Sequence, residues 1–83
     1  MKVSVRYFAS VREALGQGAE IVETTAHDLA ALRNELVARG GAYAQSLARG
    51  KAVRVALDQV MSDESAVLRE GCEVAFFPPV TGG

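Results

Sequence analysis

The sequence predicts one α+β domain: a mixed sheet of four or five strands, one main helix packed on one face, and a short flexible tail. Three observations predict it. Apolar and polar residues alternate over residues 2–8, 53–57 and 73–77, the two-residue period of strands with one buried face. Between them Leu29, Leu32, Leu36 and Val37 follow the i, i+3, i+7, i+8 spacing of a helix with one apolar stripe. The chain has 83 residues, enough for a single small core in which every apolar face must be used.

The elements follow in order. In residues 2–8, Val3, Val5 and Tyr7 point to one side, while Lys2, Ser4, Arg6 and Phe8 point to the other. Phe8 is therefore an aromatic ring on the polar face. Ser10-Val11-Arg12-Glu13 has the spacing of a capping box, with Ser10 as N-cap of a short helix that ends at Gly16. Residues 19–24 read as a second strand with Ile21, and with it Ala19, facing inward. Thr25 suits the N-cap of the main helix, and Asp28 places negative charge near the positive end of its dipole. Gly40-Gly41 stops that helix. Residues 43–49 suit a helical turn closed by Gly50. Val53, Val55 and Leu57 alternate with Arg54 and Ala56, Asp58-Gln59 turns the chain, and Val60-Met61 forms a brief extended piece. Residues 62–65 are polar loop, Leu68 plugs the core, and Arg69-Glu70-Gly71 leads into the last strand. A right-handed helical crossover returning to one sheet, in this order, is the β-grasp arrangement. Nothing in the chain calls for a second domain, so residues 1–79 read as the folded unit and 80–83 as its tail.

Composition excludes several functions. Hydrophobic residues make up 49%, too many for a disordered chain. Nine Lys and Arg against ten Asp and Glu give a net charge of -1, and the basic residues are scattered rather than striped. That argues against a nucleic-acid partner. No stretch approaches a membrane span, and the alternating start, with Arg6 inside it, lacks the apolar run of a signal peptide. Cys72 is the only cysteine, so no internal disulfide, CxxC pair or iron–sulfur ligand set can form. It reads as a small apolar filler at a strand entrance. A reducing cytoplasm is the expected location. His27, the only histidine, has no second ligand at metal spacing and reads as an exposed residue of the helix's first turn. No Ser/His/Asp or Cys/His set, dinucleotide fingerprint or P-loop is present.

The chemistry is expected at the chain end. Pro78 and Pro79 lack N–H donors, so the sheet stops at Phe77. Beyond them stand Val80, Thr81, Gly82 and Gly83, which fully extended reach about 13 Å. Glycines without a Cβ can thread a channel too narrow for any other residue. A merely frayed terminus needs neither a rigid Pro-Pro base nor two terminal glycines. Phe77 lies on the face opposite Val74 and Phe76, as Phe8 does on the first strand. In a β-grasp sheet the first and last strands are neighbours, so Phe8 and Phe77 are expected to form an apolar patch that a partner covers.

At these residues a family resemblance becomes close. Phe76-Phe77-Pro78-Pro79-Val80-Thr81-Gly82-Gly83 resembles the signature ending of the small-subunit family of molybdopterin synthase, which is ubiquitin-like in fold. Phe8-Ala9-Ser10-Val11-Arg12-Glu13 resembles that family's F-A-x-x-R-E stretch, and Glu73-Val74-Ala75 its last strand. The likeness covers essentially the whole chain, although Leu57-Asp58-Gln59 replaces a more usual asparagine-containing turn. The resemblance implies a non-catalytic sulfur-donor subunit that binds no cofactor of its own. An E1-like activating enzyme adenylates the Gly83 carboxylate with ATP. A sulfur donor, such as a cysteine desulfurase or rhodanese, converts it to a thiocarboxylate. The large synthase subunit, its partner in a heterotetramer, then passes the sulfur to cyclic pyranopterin monophosphate. Val80, Thr81 and Gly82 would thread the partner's channel, while Phe8, Val60, Phe77, Pro78 and Pro79 would dock. The alternatives are a sulfur carrier for thiamine or tRNA thiolation, a ubiquitin-like modifier joined to proteins through Gly83, and an interaction module with an inert tail. A ferredoxin-type β-grasp is excluded by the single Cys72.

Overall fold

Two strands predicted from the ends of the chain lie side by side at the centre of the sheet. β1 (Lys2–Tyr7) runs parallel to β5 (Glu73–Phe77), with Ser4 opposite Glu73 and Tyr7 opposite Phe76. The computed structural model describes residues 1–48 and 50–79. β2 (Ala19–Glu23) pairs antiparallel with β1, β3 (Arg54–Leu57) with β5, and β4 (Val60–Ser62) with β3. The order is β2-β1-β5-β3-β4. Three helices connect the strands: α1 (Ala9–Leu15), α2 (Leu29–Val37) and α3 (Gly41–Leu47). This is a ubiquitin-like β-grasp.

One face of the sheet holds the core. Val3, Val5, Tyr7, Val22, Val55, Val74 and Phe76 from the strands meet Val11, Leu29, Leu32, Leu36 and Leu47 from the helices, and Leu68 completes the cluster from the segment before β5. Each such burial stabilises the fold by about 1.5–3 kcal/mol before the entropy of ordering is subtracted. Cys72 is buried immediately before β5, as a filler at a strand entrance should be.

A buried cation ties this side together. Arg33 of α2 is 3% exposed, and its Nε donates to the Leu47 carbonyl at 2.7 Å. Its Nη2 donates to the carbonyls of Ala48 and Lys51 at 2.8 and 3.1 Å, and its Nη1 meets Glu64 at 3.0 Å. The fork geometry of a guanidinium suits this role, because a buried charge persists only when its donors are satisfied.

Three local expectations are corrected. In β2 the inward residue is Val22, paired with Val3, whereas Ala19 and Ile21 are exposed, Ile21 by 67%. A strand's side chains alternate, so the one-residue difference in register reverses its faces. The main helix begins at Leu29 rather than after Thr25, with Asp28 as N-cap accepting from the Ala31 N–H at 2.8 Å. The 64–68 segment prevents an earlier start: Leu29 and Ala30 donate to the carbonyls of Ala66 and Glu64, and Leu68 donates to that of His27. His27 is exposed, just ahead of the helix. The Ser10–Glu13 capping box does not form. α1 is capped by Phe8, whose carbonyl accepts from Val11 and Arg12 at 3.1 and 3.3 Å, so Ser10 falls inside the first turn. Phe8 is held extended because its own N–H continues the ladder to the Phe76 carbonyl at 3.1 Å.

The β3–β4 turn forms where the sequence places it. Asp58 and Gln59 both take positive φ, 49° and 68°, the conformation of a two-residue hairpin turn that follows strand twist. Asp58 also accepts from the Glu73 N–H through Oδ1 at 2.9 Å, tying the turn to the start of β5.

Candidate functional site: the open face at the end of the sheet

The face opposite the core follows from the register. Side chains alternate, so Ser4, Arg6 and Phe8 share it with Glu73, Ala75 and Phe77, with Arg54 and Ala56, and with Met61. Its middle is small: Ala56 and Ala75 stand opposite each other, and Met61 lies across from Ala56 on the outer strand. Arg6 and Glu73 pair across it at 3.2 Å.

Phe8 and Phe77 meet as expected. Their rings pack edge-to-face with centroids 6.4 Å apart, at an interplanar angle of 84°. Phe8 remains 45% exposed, and Phe77 is half-buried. Edge-to-face packing offers a partner both a ring face and a ring edge. The chain leaves β1 toward α1 through Ala9, a non-glycine residue at φ 50°, which costs on the order of 1 kcal/mol. That turn lets Phe8 stay on the open face while Val11 dives into the core.

β5 ends at Phe77, and Pro78 and Pro79 follow it half-buried. Pro78 forms part of the wall of a groove of about 280 Å³ that is also lined by Val11, Ala14, Ser46, Lys51 and Val53. The two prolines thus end the strand at Phe77, the outer partner of the Phe8–Phe77 pair. Val80, Thr81, Gly82 and Gly83 lie outside the described residues.

Val60 stands differently from the expectation. It is 65% exposed but paired with Leu57, which pairs with Val74, so its side chain belongs to the helix-bearing side at the outer edge. Met61, 56% exposed, is the β4 residue on the face of Phe8 and Phe77. The signal was available in the sequence. A two-residue turn at Asp58-Gln59 sets Leu57 against Val60 and therefore Ala56 against Met61.

Behind the pair, Tyr7 and Phe76 stack on the core side with centroids 6.3 Å apart. The Tyr7 hydroxyl donates to Glu20 Oε2 at 2.7 Å, as does that of Tyr43 at 2.7 Å, and Gln17 Nε2 joins at 3.0 Å. Arg39 meets Oε1 of the same carboxylate at 3.0 Å and lies over the Tyr43 ring. Burial, then the neighbouring Glu20, pushes the Tyr7 phenol far above its ordinary value. Glu20 is opposed by its own burial, yet the hydrogen bonds from Tyr43, Tyr7 and Arg39 outweigh it and hold the carboxyl below the usual range. The network fixes the end of β1 from inside. Among the described residues no cluster of His, Cys, Asp or Glu could hold a metal ion, and no helix is long and apolar enough to cross a membrane.

The domain is a β-grasp with an aromatic pair where its last strand gives way to Pro78 and Pro79. The ThiS family pattern matches residues 5–83, and the chain belongs to this family. It is 40% identical over 81 residues to a molybdopterin synthase sulfur carrier subunit of Escherichia coli, covering 98% of this chain and 99% of that one. A protein of the same description from Haemophilus influenzae is 37% identical over 81 residues, with the same coverage. Among solved structures, SAMP1 from Haloferax volcanii superposes with a TM-score of 0.80 at 21% identity, covering all of both chains, and shows the common fold. The complex of subunits 1 and 2 of the molybdopterin-converting factor from Helicobacter pylori contains a chain that matches with a TM-score of 0.69 at 27% identity, again over the whole of both.

Proposed function

We propose that this chain is the sulfur carrier subunit of a molybdopterin synthase, and that its working group is the carboxyl end of Gly83. The observation that carries the reading is the placement of the exposed Phe8–Phe77 pair at the point where Pro78 and Pro79 end the sheet. A partner covering the rings sits next to the point where β5 gives way to the prolines. Family membership and whole-chain likeness to two sulfur carrier subunits supply the reaction class.

In this reading residues 1–79 are the handle and 80–83 the delivered tail. A free carboxylate is a poor acyl donor, so an E1-like enzyme first joins the Gly83 carboxylate to the α-phosphate of ATP and releases pyrophosphate. A persulfide, supplied by a cysteine desulfurase or rhodanese, then displaces AMP to give an acyl disulfide. Attack of a second thiol on the donor's cysteine sulfur forms a disulfide there and releases the Gly83 thiocarboxylate. The large synthase subunit takes up the loaded tail, and the sulfur attacks cyclic pyranopterin monophosphate to form a thioester. Water then cleaves the acyl–sulfur bond, leaving the sulfur on the pterin and returning the Gly83 carboxylate. Two sulfurs make one dithiolene, so carriers exchange. This chain contributes no reacting side chain. It supplies tethering, which raises the sulfur's effective concentration at the acceptor, and a docking face of Phe8, Phe77 and Met61. Gly82 gives clearance, Val80 and Thr81 make extended contacts, and Pro78 and Pro79 aim the tail. The chemistry belongs in a reducing cytoplasm, where the thiocarboxylate survives.

Two variants test the reading. Gly82→Ala should abolish most sulfur transfer in a reconstituted synthase while leaving the thermal melt unchanged; undiminished transfer rejects threading. Phe77→Asp should weaken binding to the large subunit by about thirtyfold or more, the loss of one hot-spot residue. Unchanged affinity in a calorimetric titration rejects the docking face. Covalent attachment to lysines of other proteins, dependent on Gly83, would instead assign the chain to protein modification.

A further inference from the structure

The docking face carries a charge as well as two rings. Arg54 lies directly opposite Phe77 in the β3–β5 register, on the same face, and is exposed. Among the described residues its guanidinium has neither a salt bridge nor a hydrogen bond. The other cation of this face, Arg6, is matched by Glu73 at 3.2 Å. Most of the chain's carboxylates are engaged elsewhere. Glu20 is held by Arg39 and two tyrosines, Glu64 by Arg33, Asp28 by the α2 cap and Asp58 by the start of β5. Asp63, which shares a shallow groove with Arg54 and Met61, accepts from the Ser65 backbone and hydroxyl. The apolar pair is therefore flanked on its β3 side by an uncompensated positive charge, although the chain as a whole carries -1.

We infer that Arg54 is the electrostatic guide of the docking face and meets a carboxylate on the partner surface that covers Phe8 and Phe77. The inference rests on the docking reading above and adds the chemistry the partner must present: an apolar socket with an acidic residue at the rim on the β3 side. A rim charge of this kind acts on the rate of encounter more than on the lifetime of the complex. Its effect fades as salt shortens the screening length.

The test is stopped-flow association of the large synthase subunit with wild-type chain, Arg54→Gln and Arg54→Glu over a range of ionic strength. Arg54→Glu should associate about tenfold more slowly than wild type at low salt, with Arg54→Gln between them. Dissociation should change little, and the three association rates should converge at high salt. Phe77→Asp should show the opposite pattern, with most of its loss in dissociation. Equal association rates and equal salt slopes for all three Arg54 forms would overturn the inference while leaving the docking face standing. A wild-type chain that fails to bind the large subunit at all would remove the docking reading and this inference with it.

Discussion

Two ring pairs, one residue apart in sequence, sit on opposite faces of the same two strands. Tyr7 and Phe76 stack inside the core at 6.3 Å, and Phe8 and Phe77 pack edge-to-face outside it at 6.4 Å. Each face also has its own arginine pair. Arg33 and Glu64 meet among the helices with the guanidinium buried, whereas Arg6 and Glu73 meet on the open face with the guanidinium half exposed. Similar residue types thus perform two tasks. Inside they define the fold; outside they are arranged but only partly covered, as a surface kept for a partner would be.

Breaking the inner member of each pair should cost far more than breaking the outer one. The largest difference is expected for the rings. Phe76→Ala should lower stability by about 4 kcal/mol, because it removes a fully buried ring and leaves a cavity. Phe77→Ala should cost less than about 1 kcal/mol. Urea denaturation midpoints would show this, and equal losses would mean that the open face is structural after all.

The arginines sharpen the same contrast. Arg33→Ala should cost about 3 kcal/mol, since it takes a buried donor away from the carbonyls of Leu47, Ala48 and Lys51. Arg6→Ala should cost no more than about 0.5 kcal/mol, the usual worth of an exposed ion pair. Both can be read from the same denaturation series.

The smallest effects concern pH. Glu20 titrates below its ordinary value of 4.5 in the folded chain, so its contribution is present above that pH and lost as acid protonates it. Tyr7 titrates above its ordinary value of 10.0, so its contribution holds below pH 10 and disappears as the pH rises further. Glu20→Gln should flatten the acid limb of a stability–pH profile, and Tyr7→Phe the alkaline limb. Limbs that keep their slopes would show that other groups govern both.

Much of this arrangement was legible in the sequence, because period-two alternation encodes face and prolines encode the end of a ladder. Val3, Val5, Tyr7, Val74 and Phe76 could be placed inward, and Phe8 beside Phe77 outward, from alternation and strand adjacency alone. Residues whose position depends on long-range contacts were less legible. Ile21 and Val22 are both β-branched and apolar, and only pairing with Val3 decides which of them is buried. Thr25 and Ser10 are good caps in isolation, but carbonyls and amides fixed by distant segments set the true helix starts at Asp28 and Phe8. Arg33 lies four residues after Leu29 and four before Val37, so helical spacing sets it on the apolar side. The carbonyls of Leu47, Ala48 and Lys51 that let a charge stay buried there are announced by no local pattern. Met61 was missed for a smaller reason, a count of one residue after a two-residue turn.

The proposed carrier of the sulfur is Gly83. The most direct test is intact-protein mass spectrometry of the chain after incubation with ATP, its activating enzyme and a sulfur donor, followed by fragmentation of the C-terminal peptide. A mass gain equal to one oxygen exchanged for sulfur, localised to Gly83, is the predicted result. An unchanged mass with an enzyme set shown to load another carrier, or sulfur found on Cys72 instead, would contradict it.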